Sequence, residues 1–119
     1  LRKLRMEKAR QRMMASVPKS DVVITNPTHY AVAIQYDPKK MQAPRVVAKG
    51  MDFLALRIRE LAKQSGVPIV ENKPLARSLY SKIPVGKAIS EDLYTAVAQV
   101  LSYVYRIKGI SGFQQTANA

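Results

Sequence analysis

Cysteine is absent from this chain and histidine occurs once, so no disulfide can staple the fold and a structural zinc site lacks its ligands. Tryptophan is also absent and phenylalanine occurs twice, which leaves few flat rings for stacking on bases. No apolar run approaches the roughly 18 residues that a membrane-spanning helix requires. Acids are scarce, eight against 20 Lys and Arg, and they are scattered, with Glu91-Asp92 the one adjacent pair. There is no phosphate-cradling glycine loop, no GxSxG elbow, no HExxH helix and no convergent acid, base and nucleophile. Turnover catalysis is therefore not expected, and neither is a cofactor.

What remains is enough for one domain. At 119 residues and 47% hydrophobic content, the chain can fill a single core. Because it starts at Leu1, without an initiator methionine or an apolar segment after its basic start, it reads as a fragment of a longer product. Its net charge is +12. Residues 1–20 carry seven basic side chains (Arg2, Lys3, Arg5, Lys8, Arg10, Arg12, Lys19) against Glu7, a net of +6 and half the total. Such a segment fits anionic lipid headgroups, nucleic acid or a plainly solvated basic helix. Helix propensity is good there, but Leu1, Leu4, Met6 and Met13 give only partial periodicity, so a linker helix that buries itself poorly is expected.

From Asp21 onward, short strands alternate with helices. Near-continuous apolar runs at 22–25 and 30–36 read as strands covered on both faces, and Asp37-Pro38-Lys39-Lys40 ends the second. A short strand at 45–48 precedes Gly50, Leu54, Ile58, Leu61 and Ala62 recur at helical spacing until Ser65-Gly66, and a strand follows at 67–70. Asn72 is placed to cap a helix with Pro74 in its first turn, which Ile83-Pro84 breaks. Ser90-Glu91-Asp92 opens a last helix with a stripe of Leu93, Val97, Val100, Leu101 and Val104, and Gly109 sits at its C′ position. The pattern predicts a compact α/β domain, about four strands surrounded by about four helices and preceded by the basic linker helix. Residues 1–20 form the linker, 21–108 the domain and 109–119 a frayed tail.

Between the first two strands lies Asn26-Pro27-Thr28-His29, a group with its own chemistry. Asparagine most often closes an imide when the next backbone N–H attacks its side-chain carbonyl, but proline has no N–H. The remaining route is attack by the Asn26 side-chain nitrogen on its own backbone carbonyl, which expels the Pro27 nitrogen and cuts the chain. Fixed orientation can lower such a barrier by about 7–11 kcal/mol. Thr28 and His29 suit hydrogen bonding to the oxyanion, proton removal from the attacking amide, or protonation of the departing nitrogen, and sequence does not divide these tasks between them. The bland alternative is that Asn-Pro is a common turn dipeptide.

The stretch Asp21-Val-Val-Ile-Thr-Asn-Pro-Thr-His-Tyr-Ala-Val-Ala-Ile-Gln-Tyr-Asp37 resembles the cytoplasmic domain of the FlhB/YscU family of export-apparatus proteins. So do Ala43-Pro-Arg-Val-Val-Ala-Lys-Gly50, Leu54-Ala-Leu-Arg-Ile-Arg-Glu60, Val67-Pro-Ile-Val70 and Leu75-Ala-Arg-Ser-Leu-Tyr80, and the similarity covers about Lys19 to Lys108. Tyr30 and the run ending at Tyr105 are closer to the flagellar branch than to the injectisome branch. The resemblance implies self-cleavage between Asn26 and Pro27, two fragments that stay together, and a part in the change of export specificity from rod and hook to filament subunits. It further implies a position at the cytoplasmic face of the bacterial inner membrane, after a membrane domain. Implied partners are other export-apparatus proteins and exported flagellar subunits, with lipid contact through residues 1–20. Subunit docking is implied near Ala43, Pro44, Ala98 and Leu101, although apolar helical spacing at Ala98 and Leu101 also reads as core. A basic nucleic-acid-binding domain with a plain turn at 26–29 is the alternative function. The tyrosines at 94, 103 and 105 fall in a helix instead of on a stacking strand, so nucleic acid is not the expected partner.

Overall fold

β1 (Val22–Asn26) and β2 (Tyr30–Gln35) form an antiparallel hairpin in which Val22 faces Ile34 and Asn26 faces Tyr30. A computed structural model describes residues 1–27 and 29–109 of the chain; Thr28 and the tail expected beyond Gly109 lie outside the described residues. β3 (Arg45–Met51) adds antiparallel to β2 and β4 (Ile69–Glu71) adds parallel to β1, giving the order β3-β2-β1-β4. The hairpin thus occupies the two central positions. This explains the apolar runs: alternate side chains of each strand enter opposite cores.

On one face Val22, Ile24, Val32, Ile34 and Val46 pack under α3 (Lys73–Lys82) and α4 (Glu91–Ile107). On the other, Val23, Ala31, Ala33 and Ala48 meet Ala55, Ile58 and Ala62 of α2 (Asp52–Gln64). The alanines on both surfaces leave room for α2 to settle close to the sheet. The fold is the α/β arrangement read from the sequence, with a four-stranded mixed sheet and four helices among the described residues.

Local signals act where they were read. Asn72 Oδ1 accepts the Leu75 N–H at 3.2 Å, a cap worth about 1 kcal/mol, and the α4 stripe from Leu93 to Val104 is buried as a unit. Gly109 has φ +61°, the left-handed C′ geometry that glycine adopts without strain. Two boundaries differ from the sequence reading by more than one residue. β3 runs on to Met51 because its last residues pair with Tyr30 and Ala31. β4 begins at Ile69, not Val67: Val67 is drawn into the α2 core, and its N–H bonds back to Ala62 O at 2.8 Å. The basic segment forms α1 (Arg2–Ser16) with no buried residue, and only Met13 and Met14 near its end touch the core before a 3-10 turn at Val17–Lys19.

Candidate functional site

Asn26 is the last residue of β1, and the chain reverses immediately after it. The His29 backbone N–H donates to the Asn26 carbonyl oxygen at 2.8 Å, closing a four-residue turn with Pro27 in the second position, where its fixed φ is pre-set. Asn26 and Pro27 are half-buried and His29 is exposed, its ring centroid 6.4 Å from that of Tyr30.

Three elements hold this turn from outside the hairpin. At the β3–α2 junction, the Asp52 N–H donates to the His29 carbonyl at 2.9 Å. Asp52 has φ +50°, a left-handed conformation that costs an aspartate on the order of 1 kcal/mol and that swings the chain from strand into helix beside the turn. About two turns along α2, Arg59 Nη1 donates to the Pro27 carbonyl at 2.7 Å. At the β4–α3 junction, the Asn72 N–H donates to the Thr25 carbonyl at 2.9 Å, and Thr25 is itself buried. Tyr30, directly after the turn, lies against Tyr80 of α3.

The carbonyl bonded by His29 is also the one that asparagine cyclisation would attack. Oxygen in this position would gain negative charge if the side-chain nitrogen added to its carbon, and a backbone N–H at 2.8 Å is placed to donate to it. Asn26, Pro27 and His29 are therefore brought together as one unit.

The other four sequence-derived residues are elsewhere. Arg45 pairs with Gln35, whereas Met51 pairs with Tyr30, so Ala43 and Pro44 enter β3 at the end away from the turn, roughly 17 Å along the strand. Pro44 is buried and its carbonyl accepts the Ile89 N–H at 2.9 Å; Ala43 is half-buried. On α4, Ala98 is exposed in a shallow depression with Tyr94, Thr95, Gln99, Ser102 and Arg106, while Leu101 belongs to the core. The core reading of that pair holds for Leu101 and not for Ala98.

Sequence reasoning did not find Arg59, Asp52 or Tyr80 as neighbours of the turn. Arg59 reads locally as an exposed charge on an amphipathic helix, and only the packing of α2 over the sheet carries it to Pro27. Among the described residues no group of acids and histidines could hold a metal ion, and no helix is long and apolar enough to cross a membrane.

The mixed sheet, with this turn at the head of its central hairpin, defines a cytoplasmic C-terminal domain of the FlhB/YscU type. The family model described as the FlhB HrpN YscU SpaS Family matches residues 1–104, and the chain belongs to that family. It is 54% identical over 102 residues to the flagellar biosynthetic protein FlhB of Bacillus subtilis (strain 168), covering 86% of this chain and 28% of that protein. To the FlhB of Escherichia coli (strain K12) it is 53% identical over 108 residues, covering 91% of this chain and 28% of the relative. The chain thus spans under a third of the curated relatives it matches. Among solved structures, the cytoplasmic domain of FlhB from Shewanella putrefaciens superposes with a TM-score of 0.80 at 46% identity, covering 90% of this chain and 80% of that one. An EscU C-terminal domain with its own asparagine replaced by alanine gives 0.75 at 37% identity, covering 77% and 92%. EscU domains have also been solved with a proline and a histidine replaced, one and three positions after that asparagine, the spacing of Pro27 and His29 from Asn26.

Proposed function

We propose that this chain is the self-cleaving switch domain of a flagellar protein-export component, cut once between Asn26 and Pro27. The observation that carries the reading is the 2.8 Å hydrogen bond from the His29 N–H to the Asn26 carbonyl oxygen. Asn26 Nδ2 adds to the Asn26 carbonyl carbon, the charge on oxygen is held by that N–H, and the Nδ2–C bond forms as the C–N bond to Pro27 breaks. A proton lost from Nδ2 ends on the Pro27 nitrogen. Asn26 becomes a C-terminal succinimide and Pro27 a new N-terminus. A preorganised donor of this kind is worth about 3–4 kcal/mol of barrier, and the clamped turn supplies orientation. Thr28 and the His29 ring are the proposed sources of proton transfer.

The sheet order supports a cut that does not separate the pieces. The fragment ending at Asn26 contributes β1, which is bonded on one edge to β2 and on the other to β4, both from the second fragment. Its apolar side chains enter both cores. The scission therefore works as a local change at the head of the hairpin, a one-time switch in export specificity from rod and hook to filament subunits. The domain acts at the cytoplasmic face of the inner membrane, with export-apparatus proteins and exported subunits as partners and with α1 on anionic lipid at about 1 kcal/mol per cation. Half-buried Ala43 and exposed Ala98, backed by Pro44 and Leu101, are proposed as docking surface for those subunits.

Denaturing mass spectrometry of the wild-type chain beside Asn26→Ala tests the reading. Pieces ending at Asn26 and starting at Pro27, absent from the variant, are expected, and they should co-elute in gel filtration until urea is added. A wild-type chain that stays whole when folded overturns it.

A further inference from the structure

Arg59 is an odd arginine. Its Nη1 bonds the Pro27 carbonyl at 2.7 Å, while its Nε is buried with no hydrogen-bond partner among the described residues. The two ion pairs formed among the described residues, Arg57 with Glu60 and Lys82 with Asp92, do not include it. A guanidinium that is partly desolvated and unpaired with any carboxylate is costly to keep. Had the fold needed only a plug beneath the turn, an apolar side chain of similar length would serve without that cost. What this position provides instead is a cation bonded one residue from the bond that breaks.

We infer that Arg59 is a positioning residue for the cut, acting through the Pro27 carbonyl. The inference rests on the self-cleavage reading. Two effects follow from the geometry. First, a charge-assisted hydrogen bond to Pro27 O fixes the plane of the Pro27 carbonyl and so limits how the pyrrolidine ring can swing, keeping the Asn26 carbonyl turned towards the His29 N–H. Second, the cation is bonded one carbonyl beyond the oxygen that becomes anionic during addition of Nδ2, and at a half-buried turn its field is only partly screened. The same cation disfavours a second positive charge on the departing Pro27 nitrogen. Proton delivery to that nitrogen therefore coincides with bond breaking and does not precede it. Throughout, Nδ2–C forms, C–N of Pro27 breaks, and one proton passes from Nδ2 to the Pro27 nitrogen.

The test uses the whole chain made by pulse-labelled cell-free synthesis, with the cut followed over time by denaturing mass spectrometry and the thermal midpoint measured on Asn26→Ala backgrounds. Arg59→Gln, which keeps a donor and removes the charge, is expected to slow the cut about ten- to a hundredfold at an unchanged midpoint. Arg59→Lys, which keeps the charge and loses the planar fork, is expected to fall between. In Arg59→Ala, guanidinium ion at low, non-denaturing concentration restores the rate and urea does not, a distinction that a purely structural side chain would not produce. If Arg59→Gln fails to fold, Arg59→Lys decides, a slowed cut at a held midpoint supporting the inference. Wild-type rates in the folded Arg59 variants overturn it while leaving self-cleavage standing. An uncut wild type removes both.

Discussion

Tyr30 and Tyr80 stack with their ring centroids 4.8 Å apart and their planes 35° from parallel, joining the first residue after the turn to α3. Lys49 Nζ sits 5.1 Å from the Tyr80 centroid and donates to the carbonyls of Tyr80 and Ile83 at 2.8 and 3.0 Å. The start of β2 is thus backed by a ring that a cation and a helix end hold in place. Tyr80→Ala should lower stability by about 2–4 kcal/mol in urea titration and slow the cut, whereas Tyr80→Phe should retain both.

Pro27→Ala gives position 27 a backbone N–H and so opens the commoner imide closure through the Asn26 side-chain carbonyl. The products should change in kind, not just in rate. Peptide mapping should find intact chain deamidated at Asn26 accumulating at the expense of cut chain.

Gly50 has no space for a methyl group: a Cβ there would lie 2.8 Å from both Cβ and Cγ of Leu54. Gly50→Ala should cost about 1–3 kcal/mol by urea midpoint. Because Gly50 lies two residues before Asp52, whose N–H holds the His29 carbonyl, the displaced β3–α2 junction should also slow the cut.

The other end of β1 responds to pH. Asp21 is half-buried, and burial pushes its carboxyl above the usual value despite the Tyr36 N–H at 2.7 Å and the nearby Lys108 and Tyr105. Burial, and then the Asp21 charge, push the Tyr105 phenol up to about 12. In both cases the folded state holds the proton more tightly than the unfolded one. Stability from Tyr105 is therefore complete below pH 10 and lost as pH rises towards 12, and that from Asp21 is complete below its ordinary value of 3.8 and lost as pH rises through the raised one. With Tyr105 partly exposed, the alkaline loss should be about 1 kcal/mol. Urea midpoints between pH 9 and 12 should show this step in wild type and not in Tyr105→Phe.

Most elements were legible because their causes are local. The Asn72 cap, the proline that ends α3, the α4 stripe and the glycine after it are settled by residues within a turn or two of each other. The position of Asn26-Pro27 in a turn between the first two strands was legible for the same reason. Val67 was misread as strand because its β-propensity and apolar neighbours describe a buried residue without saying which layer buries it.

By itself, then, the sequence determined the α/β pattern, two strands buried on both faces, and an Asn-Pro turn between them. Tertiary structure alone decided that β4 joins β1 in parallel, that Pro44 and Leu101 turn inward while Ala98 faces out, and that Arg59 meets Pro27. Periodicity and caps are short-range properties written in neighbouring side chains. The contact from α2 to the turn spans 32 residues, and it exists only once hydrophobic burial has laid the helix across the sheet.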